Sequence, residues 1–190
     1  MALTRPLTLD EFLLQLEEQP ALEYERGVVT QKMSPQPKHG KLQMTLAMRF
    51  ERHGYPQQVV SAFPETRVIW PAEGVSYVPD VIAYLPERVP YDEHGEIADH
   101  LYVPPDVTVE IPSPEQGLER QLERCRWYVA HGVAVSLLVH PGRHAVWVFR
   151  PGSESGPLEG DAVVDLSPEI SGFSFVVSEL FAVLRRPPQQ

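Results

Sequence analysis

Two carboxylates stand where strands should be apolar. Asp80 interrupts the run Tyr77-Val78-Pro79-Asp80-Val81-Ile82-Ala83-Tyr84, and Glu110 closes Asp106-Val107-Thr108-Val109-Glu110 ahead of Ile111-Pro112. Strand alternation puts Val78, Asp80 and Ile82 on one face and Pro79, Val81 and Ala83 on the other, so both faces around Asp80 are apolar. A carboxylate in such surroundings is costly unless it is paired or bound to a metal. Two acids on neighbouring strands are the minimal equipment for holding a hard divalent cation such as Mg²⁺ or Mn²⁺. A Pro-Asp turn opening the strand is the competing structural explanation for Asp80. Glu110 shares a face with Thr108, while Val107, Val109 and Ile111 share the other. That is the pattern of a half-exposed strand, so spacing alone leaves a solvent-facing Glu110 open.

Other polar side chains gather near this pair in the sequence. Leu118, Leu122, Cys125 and Val129 recur at helical spacing and form a buried stripe. Gln121, Arg124 and Tyr128 run beside that stripe and could reach back over the end of the strand towards a substrate. An exposed helix arginine is the plainer alternative for Arg124. Glu23, between Leu22 and Tyr24, is either a third carboxylate or a surface partner of Arg26. His39, at the start of a helix, is a ligand, a substrate contact or a helix-end polar residue. His140 and His144 show no metal-ligand spacing. The sequence carries no Gly-rich phosphate loop, nucleophile elbow or cysteine pair. Cys125, the single cysteine, falls on the apolar side of its helix and reads as core.

The elements that must position these residues follow from pattern. Thr8-Leu9-Asp10-Glu11 has the form of a capping box, with Phe12, Leu13 and Leu16 following at helical spacing in a helix that ends near Pro20. A short strand around Leu22 to Thr30 contains Gly27, a natural hairpin position. Leu42, Leu46 and Phe50 mark a helix from His39 to His53. Strands are predicted over Val59 to Trp70 and Val75 to Leu85, joined by Pro71-Ala72-Glu73-Gly74. Pro86 to Pro105 reads as loop. The pattern then gives a strand to Ile111, a helix from Glu115 to His131, and strands over Val133 to Val139 and Ala145 to Phe149. Ser153 to Gly160 reads as loop. A short strand and a helix near Val177 to Leu184 complete a mixed sheet with helices on its faces. The whole is expected to form one domain over residues 1–190, with 185–190 a frayed tail.

Composition sets limits. An apolar content of 43% and a charged content of 22% are those of a soluble globular protein. No apolar run approaches the ~20 residues that span a bilayer. The polar, proline-broken N-terminus does not read as a signal peptide, and one cysteine suits a reducing cytoplasm. A net charge of −10 argues against a broad, sequence-independent grip on nucleic acid. It leaves room for a local basic cleft, since Arg120, Arg124 and Arg126 cluster on one segment.

Taken in order, these fragments resemble the Uma-type (Uma-two) restriction-endonuclease family, a branch of the PD-(D/E)XK nuclease superfamily. Family members read Tyr-Glu-Leu-Ile-x-Gly, then Met-Ser-Pro and His-Gly; this chain has Leu22-Glu23-Tyr24-Glu25-Arg26-Gly27, Met33-Ser34-Pro35 and His39-Gly40. The family's Val-Pro-Asp-Val is similar to Val78–Val81, and its Pro-Asp-Leu-Val-Val-Glu-Val-x-Ser-Pro to Pro105–Pro114. Its Tyr-x-x-x-Gly-Val corresponds to Tyr128–Val133, and its closing Gly-Phe-x-x-x-x-x-Glu-Leu-Phe to Gly172–Phe181. The resemblance implies an α/β, restriction-endonuclease-like fold with a mixed β-sheet core. It implies Mg²⁺- or Mn²⁺-dependent cleavage of DNA, with Asp80 and Glu110 on the metal and Glu23 auxiliary. The superfamily's lysine, two residues beyond Glu110, is Pro112 here, and the chain's only lysines are Lys32, Lys38 and Lys41. In this family the lysine moves to the helix, four residues before the tyrosine, where this chain has Arg124. The family's aspartate in a Val-Asp-Pro strand end is His140. Arginine pairs well with phosphate but cannot serve as a base. The missing lysine therefore motivates an alternative: a catalytically inactive nuclease fold acting as a dimeric binding module. A homodimer is the partner expected besides DNA.

Overall fold

Thr8 opens the first helix as its spacing predicts: the hydroxyl accepts the Glu11 N–H, and the Glu11 carboxylate returns to the Thr8 N–H. The structure is a computed structural model that describes residues 5–15, 17–57, 59–114 and 116–186. Leu16, Glu115 and positions 187–190, invoked above for the first helix, the helix after Glu110 and the tail, lie outside the described residues. In chain order come α1 (Leu9–Leu13), β1 (Leu22–Glu25), β2 (Val28–Gln31) and α2 (Pro37–Arg52). Strands β3 (Ser61–Pro64), β4 (Val68–Trp70), β5 (Val75–Tyr77) and β6 (Val81–Tyr84) follow, and then β7 (Val107–Glu110). Helix α3 (Leu118–Ala130) leads to β8 (Val135–His140), β9 (Ala145–Arg150) and β10 (Ser153–Leu158). The pair β11 (Val163–Asp165) and β12 (Ser174–Val176) precedes α4 (Val177–Ala182).

The described residues divide into two compact units. One holds the residues up to Ser34, Arg67–Val78 and Pro90–Pro104; the other holds Pro35–Thr66, Pro79–Val89 and the residues from Pro105 onward. In the first, an antiparallel sheet runs in the order β2-β1-β5-β4. Its hairpin turns at Arg26 and Gly27, both with positive φ (47° and 94°), as two-residue hairpin loops require. A Cβ at Gly27 would lie 2.8 Å from Pro6 Cβ, so only glycine fits there. Phe12 stacks on Tyr24 at 5.3 Å, and the Tyr24 hydroxyl donates to Leu7 C=O, which seats α1 on this sheet.

The second unit carries a six-stranded mixed sheet in the order β10-β9-β8-β7-β6-β3, with β7 and β8 parallel and every other pair antiparallel. Leu42, Leu46 and Phe50 of α2 pack with Val81, Val107, Val109 and Leu137 against one face, where α4 and the β11–β12 pair also contribute. On the other face Leu122 and Cys125 of α3 pack with Leu138, Trp147 and Phe149, flanked by Leu118 and Val129. The stripe read from the sequence is therefore the one that is buried.

Two expectations are corrected and one open alternative is closed. Val59–Trp70 and Val75–Leu85 are not two long strands: each splits, with β4 and β5 in the first sheet and β3 and β6 in the second. Pro79 lacks the N–H that a continuous ladder needs, so one split falls at Val78-Pro79-Asp80. Ser153–Leu158 is a strand rather than a loop; its exposed polar residues gave no alternation, and pairing with β9 makes it one. Thr108 and Glu110 do not face solvent, since α3 covers their side and both are buried.

Candidate functional site

Asp80 lies just before β6, at the point where the ladder passes from backbone to side chain. Its N–H donates to Val109 C=O at 3.1 Å, and its Oδ2 accepts the Ile111 N–H at 2.6 Å. These two anchors bracket Glu110. On the other side, Asp80 C=O accepts from Glu65 N–H at 3.1 Å and from Gln43 Nε2 at 2.8 Å. The aspartate is thus clamped between β3, β7 and α2, and is only 2% exposed. The competing turn explanation is right about its backbone, since it precedes the strand, yet the buried carboxylate still requires compensation.

Around Asp80 Oδ1 the structure assembles a donor set. His39 Nε2 stands 3.4 Å from it, and 3.9 Å from Glu65 Oε1, to which Gln43 Nε2 also donates at 3.0 Å. One ligand atom each from His39, Glu65 and Asp80 lies within 4.8 Å of the others, the one such group of three among the described residues. An imidazole nitrogen with two carboxylate oxygens is a fitting donor set for a small divalent cation. Glu65 was missed by sequence reasoning. It is exposed, follows a proline, and takes a left-handed φ of 48°, a strained conformation for a non-glycine residue. The antiparallel register that pairs Pro64 with Val81 carries it to Asp80, and no local pattern announces this.

Glu110 is not a member of that group. Its Oε1 accepts the Tyr128 hydroxyl at 2.7 Å, and both side chains are buried. Gln121 is buried on the same helix, and Arg124 is half-buried one turn before Tyr128. Cys125 lies wholly inside. Burial pushes its thiol well above the ordinary range, Glu110 adds to the rise, and the residue is core rather than nucleophile. Glu23 belongs to the first unit, where its Oε1 accepts the Val78 N–H at 3.0 Å and Lys32 Nζ donates to Val78 C=O at 2.7 Å. Asp106 is a buried acid of a structural kind, tied to Leu85 N–H and the Arg88 guanidinium.

A cleft of about 550 Å³ adjoins the donor set and shares His39 with it. Lys38, His140 and Arg143 line it. A mixed sheet with helices on both faces, ending in clustered carboxylates, defines a restriction-endonuclease-like α/β protein. The family model Uma2, described as "Putative restriction endonuclease", matches residues 9–179, and the chain belongs to that family. The crystal structure of "a putative nuclease belonging to DUF820" from Anabaena variabilis ATCC 29413 is similar to it at 34% identity. The TM-score is 0.88, with 95% of this chain and 100% of that one covered. No curated protein matches the chain.

Proposed function

We propose that this protein is a divalent-metal-dependent nuclease that hydrolyses phosphodiester bonds in DNA. The observation that carries the reading is the His39–Glu65–Asp80 donor set, clamped at the sheet end beside a cleft with cationic walls. Family membership and the nuclease neighbour support it. Asp80, with His39 and Glu65, would hold Mg²⁺ or Mn²⁺, which when bound offsets phosphate charge and acidifies water. The backbone donor at Ile111 and the amide of Gln43 fix Asp80 and Glu65 before any ligand arrives, so little reorganisation is needed. Glu110 is the second acid, oriented by Tyr128. Arg124 pairs with the scissile phosphate and stabilises the charge that builds on it, without acting as a base. Gln121 and His39 flank the strand being cut. Lys38 and Arg143 attract the polyanion locally, against an overall charge of −10.

Nicking of supercoiled plasmid in Mg²⁺ or Mn²⁺ tests this with wild type, Asp80→Ala and Arg124→Lys. Cleavage by wild type that disappears in Asp80→Ala is the expected result. Cleavage only by Arg124→Lys would identify a nuclease scaffold disabled at one residue. Silence from all three, with either metal, would overturn the nuclease reading in favour of a binding module.

A further inference from the structure

Part of the wall of the cleft beside the donor set offers nothing to a cation or a phosphate. Pro112, Pro114 and Pro141 supply flat apolar surfaces, and Pro112 and Pro141 are buried. Polar ions lose hydration against such walls and recover nothing. Its volume of about 550 Å³ lies within the ~300–1,000 Å³ of clefts that take a small organic group.

Two further features narrow the occupant. Lys38 and Arg143 are exposed at this cleft, and among the described residues neither enters an ion pair. Other arginines of the same unit are already engaged, Arg126 with Glu119 and Glu154, and Arg150 with Glu169. The ring of His140 is oriented by one hydrogen bond, its Nδ1 accepting the Arg143 N–H at 3.2 Å. Burial, helped by Arg143, holds its pKa below the ordinary histidine value. With Nδ1 accepting, the neutral ring carries its proton on Nε2 and presents a flat surface with one donor.

We infer that this cleft receives the base of an unpaired nucleotide next to the cleaved bond, with Lys38 and Arg143 on the flanking phosphates. The inference rests on the nuclease reading for the identity of the strand. A base is planar, uncharged and edged with acceptors, which suits proline walls and the His140 donor. Inside a duplex it is stacked and cannot reach them. Extrusion costs least when the base is already unpaired, so the substrate class is DNA with bulges, mismatches or single-stranded segments.

Fluorescence anisotropy of the full chain, with Ca²⁺ replacing Mg²⁺, tests this with labelled probes. They are a fully paired duplex, the same duplex with one unpaired thymidine, and the same with an abasic residue there. The unpaired base is expected to tighten binding about tenfold, and the abasic probe to forfeit that gain. Gly142→Trp, which fills the cleft, should abolish the ratio between bulged and paired probes, and His140→Ala should reduce it. The ratio is internal to each variant, so a general loss of stability does not mimic the effect. Equal binding of bulged and abasic probes by a protein that still nicks plasmid would overturn the cleft assignment. A base-dependent gain without nicking would overturn the nuclease reading and leave the cleft assignment standing. No binding of any probe would overturn both.

Discussion

Replacing Asp80 by asparagine separates the charge of the donor set from its shape. The amide keeps an oxygen for the Ile111 N–H, which now bonds to Asp80 Oδ2 at 2.6 Å. Two effects of opposite sign then act on the metal-free protein. A hydrogen bond to a charged acceptor contributes ~1.5–3 kcal/mol against ~1 for a neutral one, so the weaker acceptor costs about 1 kcal/mol. Against this, Asp80 and Glu65 place oxygens within 4.8 Å of each other. Two such charges repel by ~1 kcal/mol in water and ~3–4 at an effective dielectric of 20. Glu65 is exposed, so the lower figure applies. The terms nearly cancel, and the melting temperature of metal-free Asp80→Asn should stay within about 3 °C of wild type. Cation binding behaves differently. At a hundred times Kd a ligand stabilises by ~2.7 kcal/mol, which in a protein of this size raises Tm by about 5–10 °C. Wild type should show this rise in Mn²⁺ and Asp80→Asn should not. Scanning fluorimetry with and without Mn²⁺ gives all four values. A full wild-type rise in the variant would refute the placement of Asp80 in the cation group, and a fall of more than 10 °C without metal would refute the cancellation.

Tyr128→Phe should lower stability by about 1–2 kcal/mol, because it leaves the buried Glu110 short of one donor; a urea midpoint unchanged from wild type would refute this. Glu65→Gly removes the strain of a left-handed residue and should stabilise the metal-free protein by up to ~1 kcal/mol while weakening Mn²⁺ binding, measured calorimetrically. Arg5, and then Thr8, hold the Glu11 carboxyl down to about 2. Because the folded value is depressed, the stabilisation is complete above the unfolded value near 4.5 and disappears as pH falls towards 2. Hydrogen exchange at the Glu11 N–H, which Thr8 caps, should accelerate across that window relative to Glu11→Gln, in which the dependence is absent.

Much of the fold was legible because its signals are local. Thr8 and Glu11 announce a cap, Leu42, Leu46 and Phe50 a buried helical face, and Gly27 a hairpin. The rest depends on pairings between distant segments. Val59–Trp70 and Val75–Leu85 each divide between two sheets. Pro64-Glu65-Thr66-Arg67 and Pro79 mark where they break, but nothing local says which sheet each half joins. Asp80 was legible because an acid among apolar residues needs an explanation, and His39 because it falls in the first turn of a helix. Glu65 was not, since an exposed glutamate after a proline is ordinary, and only the β3–β6 register gives it a neighbour. Glu110 was visible as an acid, but the donation from Tyr128 depends on α3 lying over β7, which spacing alone could not rank above solvent.

The outer strand β10 bears on how copies of this protein can associate. It forms one border of the six-stranded sheet, with residues Ser153–Pro157 exposed and a register shift between Ser155 and Leu158. Pro157 brings no N–H, Glu154 brings charge, and the irregular register spoils the straight row of donors and acceptors that a strand from another copy would need. That border is closed to sheet extension, so uncontrolled stacking of copies into fibres is disfavoured there. A functional dimer that joined copies through β10 is disfavoured for the same reason.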